Sequence, residues 1–237
     1  MNQSFQRIEK KYLLKKDIYD TLLQKLNNKI KPDQFGLSTI CNIYFDTSNF
    51  DLIRSSLDKP FYKEKIRLRS YGVPSLDSIV FLEIKKKFKS DVNKRRIGIK
   101  LKDFYSYLNN QSIIPDSQIK REIDYFFKFY QISPKLFIAY DRKAFVGSHN
   151  SSLRITFDTS IRSRMTDLKL ESGDYGERLT NNEIYLMEIK INNAYPMWLV
   201  EILDSLNIYP TSFSKYGKIY EKLRKGELIN VWKHTRK

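Results

Sequence analysis

The sequence predicts an α+β fold in which eight strands close into an antiparallel β-barrel with surrounding helices. Three observations carry this. Apolar and charged residues alternate with period two in eight separate runs. Only a few segments repeat with helical spacing, and the strands follow one another closely, which favours antiparallel pairing over alternation of strands and helices. A sheet of that size usually curls or closes, which removes its unpaired edges.

The elements are justified in chain order. The run at 5–14 reads as a strand, and 16–30 as a helix in which Ile18, Leu22, Leu26 and Ile30 recur four apart. Strands are predicted at 40–46, 64–71, 79–88 and 93–101, then a helix at 117–130. Three more strands follow at 136–145, 152–158 and 184–191. Between the last two, "ESGDYGERLTNN" at 171–182 has two glycines and no periodicity, so it reads as a loop. Helices close the chain at 196–208, where Pro196 suits a helix start and Trp198 suits core packing, and at 214–225. No low-complexity linker or internal repeat interrupts the 237 residues, so a single domain over 1–237 is expected. The last stretch of about ten residues, with "VWKHTRK", reads as a basic tail.

Composition narrows the partners. Lys plus Arg is 43 against 27 Asp plus Glu, a formal charge of +16, and such an excess repels itself in a compact fold unless an anion compensates it. Phosphate-rich partners fit: nucleic acid, an anionic membrane surface or a free polyanion. The single cysteine, Cys41, excludes an internal disulfide and reads as a small buried hydrophobe. His149 and His234 are the only histidines, so no histidine-based metal site or catalytic triad can be built. No phosphate-cradling Gly-rich loop is present, and Gly147 and Gly226 read as turn or helix-end glycines. "MNQSFQRIEK" has no signal-peptide core, and no run reaches the roughly 18 apolar residues of a membrane span, so a soluble, cytoplasmic chain without a membrane segment is expected.

Sorting the strands by parity exposes one repeated pattern. Arg7, Glu9 and Lys11 share a face, as do Lys65, Arg67 and Arg69 opposite Ile66 and Leu68. Glu83, Lys85 and Lys87 lie opposite Leu82 and Ile84; Lys94, Arg96 and Lys100 lie opposite Ile97 and Ile99. Arg154, Thr156 and Asp158 alternate with Ile155 and Phe157, and Glu188 and Lys190 with Met187 and Ile189. One such face is ordinary for a sheet with one wet side. Six, rich in arginine and poor in hydroxyls, would set like charges opposite one another, which destabilises a sheet unless a polyanion is bound. In a closed barrel these faces would line an interior in which guanidinium–phosphate contacts are strong, wide enough for a linear phosphate chain and too narrow for a duplex.

"IEKKY", "IYFDT", "IRLRSYG", "FLEIKKK", "AYDRKAF", "LRITFDT", "LMEIK" and "FSKYGKIYEKL", in this order, resemble the polyphosphate polymerase domain of the vacuolar transporter chaperone (VTC) complex, within the CYTH-like triphosphate tunnel metalloenzyme superfamily. The likeness runs from about residue 5 to 223. It implies an eight-stranded tunnel holding ATP's triphosphate and a growing polyphosphate chain, with Mn²⁺ or Mg²⁺ on a glutamate. Carried over by motif, the phosphate contacts are Lys11, Arg67, Arg69, Lys85, Lys87, Lys94, Arg142, Arg154, Ser214 and Lys215, with Arg96 and Lys190 as further lining residues. Glu188 is the implied metal ligand, and Arg67, Arg69, Lys11, Lys85 and Glu188 the implied catalytic group. Lys87 stands where some relatives carry a histidine, and Ser212 where a lysine commonly precedes "SK". The implied partners are ATP and polyphosphate or pyrophosphate, no specific nucleic acid, and, by analogy with the fungal complex, a membrane protein. The regulatory and membrane-spanning parts of that complex are not expected in this chain.

Triphosphatases and adenylate cyclases of the superfamily carry Glu-x-Glu-x-Lys on the first strand, whereas this chain has Arg7-x-Glu9-x-Lys11. Activating water with metal wants several carboxylates; holding a second polyanion as nucleophile wants positive charge. The expected activity is therefore transfer of the γ-phosphate of ATP to a polyphosphate chain. The alternatives are a triphosphatase or polyphosphate hydrolase of the same superfamily, or a non-catalytic polyanion or RNA binder. Glu9 and Glu83 read either as metal-side carboxylates or as salt-bridge partners. Tyr125, Phe126, Phe127, Lys128 and Phe129 read either as core packing or as rings for stacking on bases.

Overall fold

A computed structural model describes residues 7–89, 91–109, 111, 114–179 and 183–226. The strands are β1 (Arg7–Lys15), β2 (Ile30–Asp46), β3 (Tyr62–Tyr71), β4 (Ile79–Phe88), β5 (Asp91–Lys100), β6 (Ser133–Gly147), β7 (Arg154–Arg164), β8 (Glu177–Arg178) and β9 (Ile184–Asn192). The helices are α1 (Lys16–Leu26), α2 (Asp51–Leu57), α3 (Leu101–Leu108), α4 (Gln118–Tyr130), α5 (Met197–Ser205) and α6 (Lys215–Arg224). The predicted tail, with His234, lies outside the described residues. No described helix is long and apolar enough to cross a membrane.

The strands follow the hydrogen-bonded order β1-β9-β7-β6-β2-β3-β4-β5, with β8 paired to β7. This corrects the predicted closed barrel: among the described residues the fold is α+β and antiparallel, but the path is open, with β1 and β5 as its ends, and it has nine strands rather than eight. The β1 end is occupied by another segment. On β1, Thr211 N donates to Lys11 O at 2.7 Å in an isolated bridge, and the Lys11 ammonium donates to Phe213 O at 2.8 Å. Backbone groups committed this way are not available for a closing ladder.

The chain forms two compact units. The first comprises the described parts of Met1–Ser38, Tyr140–Ile161 and Thr180–Ser214; the second comprises those of Thr39–Ala139, Arg162–Leu179 and Lys215–Lys237. In the first, Leu14, Leu22, Leu26, Phe157, Met187 and Ile189 belong to one buried core. α1 contributes by helical spacing: Tyr19, Leu22 and Leu26 are buried, and the Tyr19 ring stacks on Tyr185 at 3.8 Å and meets Phe157 edge-on at 5.0 Å. The helix stops at Leu26, short of the predicted residue 30, because Asn28 takes a left-handed φ of 66° and Ile30 starts β2.

The second unit has its own core, with Phe45, Ile66, Leu82, Phe104, Phe126 and Phe137 among its members. On each of β3 and β4 the even positions from Ile66 to Ile84 face this core and the odd positions turn away, the period-two reading of the sequence. α4 begins at Ser117, whose hydroxyl accepts from Lys120 N at 3.1 Å, and buries Ile123 and Phe126. Two helices had no sequence signal strong enough to predict them. α2 is only seven residues long, and α3 begins at Leu101, which the strand pattern had absorbed. Cys41 is buried as expected, and burial pushes its thiol up to about 11.

Candidate phosphate-binding faces

In the second unit, the polar face of β2–β5 is fixed by register. Tyr44 lies opposite Arg67 and Asn42 opposite Arg69 across β2–β3. Arg67 is opposite Glu83, which is opposite Arg96; Lys65 is opposite Lys85, which is opposite Lys94; Lys63 is opposite Lys87. Register thus sets Arg67 and Arg96 on either side of Glu83 and, two residues along, three lysines in a row across three strands. Arg67 donates from Nε to Glu83 Oε2 at 2.8 Å, its Nη2 lies 2.7 Å from the same oxygen, and its Nη1 donates to the Tyr44 hydroxyl at 3.1 Å. Arg69 Nε donates to Asn42 Oδ1 at 3.0 Å and lies 3.7 Å from Glu83. The Arg96 guanidinium sits 4.6 Å above the Phe81 ring, and Gly98 lies opposite Phe81 across β4–β5. Burial alone would raise the Glu83 carboxyl, but Arg67 and Arg69 hold it below its ordinary value. Burial, then Lys87 and Lys59, lowers the Lys63 ammonium.

Asp46 orders the same face from below. It is fully buried and accepts from the backbone N–H of Thr47, Leu52 and Ile53 at 2.8, 2.9 and 3.1 Å, which holds the start of α2. It also accepts from the Tyr216 hydroxyl at 2.8 Å. Tyr216 follows Lys215 in α6, and its ring lies 4.8 Å from that of Tyr44, the tyrosine bonded by Arg67. Burial and the Asp46 carboxylate hold the Tyr216 phenol far above its ordinary value.

In the first unit, the polar faces of β1, β9 and β7 adjoin. Lys11 lies opposite Glu188, and Glu188 opposite Thr156; Glu9 lies opposite Lys190, and Lys190 opposite Arg154. Lys190 forms an ion pair with Glu188. Arg142 donates from Nε and Nη2 to the two oxygens of Asp158 at 2.6 and 2.8 Å, and Asp158 is itself buried. Burial alone would lower the Arg142 guanidinium, yet Tyr140, Asp158 and Glu188 raise it. Arg154 Nη2 donates to Asp33 at 3.0 Å. The Thr156 hydroxyl, directly across from Glu188, is buried without a partner among the described residues, as is Arg154 Nε.

The predicted residues therefore fall in two groups. Arg67, Arg69, Lys85, Lys87, Lys94 and Arg96 share the β3–β5 face, with Lys215 at the start of α6 in the same unit. Lys11, Arg154, Glu188 and Lys190 share the β1–β9–β7 face, and Arg142 and Ser214 belong to that unit too. Sequence reasoning missed Asn42, Tyr44, Asp46 and Tyr216. Asn42, Tyr44 and Asp46 do alternate with Cys41, Ile43 and Phe45 in "CNIYFD", so parity held a signal for them.

No group of three or more His, Cys, Asp or Glu suited to a metal ion occurs among the described residues. Glu188 with the unpartnered Thr156 hydroxyl fits a small hard cation that takes most of its oxygens from phosphate and water, the usual habit of Mg²⁺.

A family model for the VTC domain matches residues 6–224. The chain belongs to the VTC domain family. A search of curated proteins finds no match. Among solved structures, this VTC domain resembles a candidate adenylate cyclase from Bacillus halodurans at 15% identity and a TM-score of 0.53, over 88% of this chain and 93% of that one. It also resembles a candidate adenylyl cyclase from Hippeastrum with a dominant triphosphatase activity, at 16% identity and a TM-score of 0.51, over 94% and 98%. At these identities the likeness establishes a shared fold.

Proposed function

We propose that this VTC domain is a divalent-metal-dependent phosphotransferase that extends polyphosphate at the expense of ATP. The observation that carries the reading is the β3–β5 face. Arg67 and Arg69 share Glu83 with Arg96 opposite it, and Lys65, Lys85 and Lys94 stand opposite one another across three strands. Such a row suits a chain of phosphates, each of which offers oxygens to a fork of N–H donors or to an ammonium.

The reaction asks little covalent work of the protein. A terminal oxygen of the acceptor chain attacks Pγ of ATP in line, the bond from Pγ to the bridging oxygen of ADP breaks, and ADP leaves with that electron pair. Arg67 and Arg69 would orient the phosphates, each guanidinium held by a neighbour on its own sheet, so little reorganisation accompanies the charge shift. On the first unit, Lys11, Arg154 and Lys190 would bind phosphate oxygens around Glu188. Mn²⁺ or Mg²⁺, held at Glu188 with Thr156 beside it, would supply neutralisation of charge on the phosphoryl oxygens.

A triphosphatase is the second reading, and Glu9 favours it. Glu9 and Glu188 lie on one face of adjacent strands, as a water-activating pair would require. Arg7 at the first position of the motif argues the other way, because it removes a carboxylate. Incubation with ATP, Mn²⁺ and a short phosphate primer separates the two on a gel. A ladder of chains with stoichiometric ADP supports the polymerase, orthophosphate without a ladder supports the triphosphatase, and no consumption of ATP refutes both.

A further inference from the structure

The sequence interleaves rings with lysines three times, in "DKPFYK" and "KKFK" at the ends of β3 and β4 and in "DYFFKF" on α4. The structure of the second unit exposes the rings that the core does not use. Phe61 is 76% exposed, Tyr125 and Phe129 62% each, Phe88 52% and Tyr62 46%. They belong to one neighbourhood. Tyr62 pairs with Phe88 across β3–β4, and Phe61 O accepts from Lys89 N at 2.6 Å. Tyr62 and Tyr130 donate to the two oxygens of the buried Glu64 carboxylate at 2.5 and 2.7 Å, and the Tyr130 ring meets Phe129 at 4.8 Å. Phe129 in turn stacks on Tyr125 at 5.3 Å. The rings are thus bound to one rigid base formed by β3, β4 and α4.

Exposed basic side chains accompany them. Lys59 precedes Phe61 by two residues, Lys89 holds its ammonium 5.5 Å from the Phe88 ring centre, and Lys128 adjoins Phe129. Soluble proteins rarely leave so many large rings together in water without a partner for them. We propose that this surface seats the protein on an anionic lipid bilayer, with the rings entering the headgroup boundary and the lysines meeting the lipid charges. Phenyl and phenol rings suit that boundary because one layer accepts both apolar edge and hydroxyl, and long lysine stems reach past the rings to the phosphates. A free phosphate chain offers Phe61 or Phe129 nothing, so the charge alone does not explain the rings. Nucleic acid suits them less, because Tyr125 and Phe129 lie nearly parallel at 15° and cover one another's faces, the surfaces a base would stack on.

The test is sedimentation of the full chain with vesicles of phosphatidylcholine alone or of phosphatidylcholine with phosphatidylserine. Binding is expected only to the second. The F61S/F129S double variant changes no charge and no buried residue, and it should weaken binding about tenfold or more. K59S and K89S should each weaken it about fivefold. Saturating tripolyphosphate, which occupies the phosphate-binding faces, should leave the protein on the vesicles. Full affinity in the F61S/F129S variant, release by tripolyphosphate, or equal binding to neutral vesicles overturns the proposal. So does an RNA gel shift that the same ring substitutions abolish while vesicle binding persists.

Discussion

Glu83→Gln isolates the central idea, that one carboxylate stands in for phosphate on the β3–β5 face. The side chain keeps its size and loses its charge. Arg67 then loses two contacts to one oxygen, at 2.7 and 2.8 Å, and Arg69 a longer one at 3.7 Å. Breaking a fully buried pair costs about 3–5 kcal/mol. Here Arg67 is 28% and Glu83 15% exposed, so water recovers part of the loss and about 2–3 kcal/mol is expected. For 237 residues at about 2.1 cal/mol/K per residue, the unfolding entropy is about 0.5 kcal/mol/K, so Tm should fall by about 5 °C. Tripolyphosphate should then rescue the variant more than the native protein, because it no longer competes with Glu83 for Arg67. A tenfold tighter ligand closes the gap by about 1.4 kcal/mol at saturation. Thermal unfolding of both proteins, with and without tripolyphosphate, measures the gap directly. If the gap is the same in both conditions, Glu83 and phosphate do not share the arginines and the face is not an anion site.

Further expectations use the same structure. Lys85→Gln removes the middle of the Lys65–Lys85–Lys94 row, so it should weaken tripolyphosphate binding by calorimetry while shifting the ligand-free protein by no more than about 0.5 kcal/mol in urea titrations. Arg67→Ala and Glu188→Ala should each slow ATP-dependent chain synthesis by about 10²–10³ with the far-ultraviolet spectrum unchanged; normal turnover by either refutes its assigned role. Tyr216→Phe removes one of the four donors to buried Asp46 and should cost about 1–2 kcal/mol in the same urea titrations. Glu83 has its carboxyl held below the ordinary 4.5, so it contributes stability above that value that is lost as pH falls through its folded value; acid unfolding of Glu83→Gln should accordingly be shallower below pH 4.5.

Much of this was legible in the chain because period two is a local signal. Arg67 and Arg69 could be placed on one face of β3 from Ile66 and Leu68 alone, and the structure agrees. What parity cannot convey is register. That Glu83 rather than Lys85 faces Arg67 depends on the turn between β3 and β4, and it decides whether the arginines are neutralised or opposed. Closure of the barrel failed for a related reason. The partner of β1's outer edge is a segment around Thr211 that forms no regular strand and has no periodicity to read. Tyr216 was missed because a tyrosine in a helix reads as packing, whereas its hydroxyl finds Asp46 170 residues earlier in the chain.

The two edges of the sheet differ in how they meet other molecules. The strand Arg7–Lys15 has Lys11 sealed by Thr211, so an incoming chain finds its hydrogen-bonding groups partly spoken for. The strand Asp91–Lys100 offers Lys94, Arg95, Arg96 and Lys100 in close succession, and a second copy approaching it would bring the same charges. Self-recognition is thus discouraged by sealing at one border and by electrostatic refusal at the other. A chain edged in this way can be kept at high concentration without templating its own fibres, and polyanions that mask the basic border would be the condition under which that protection lapses.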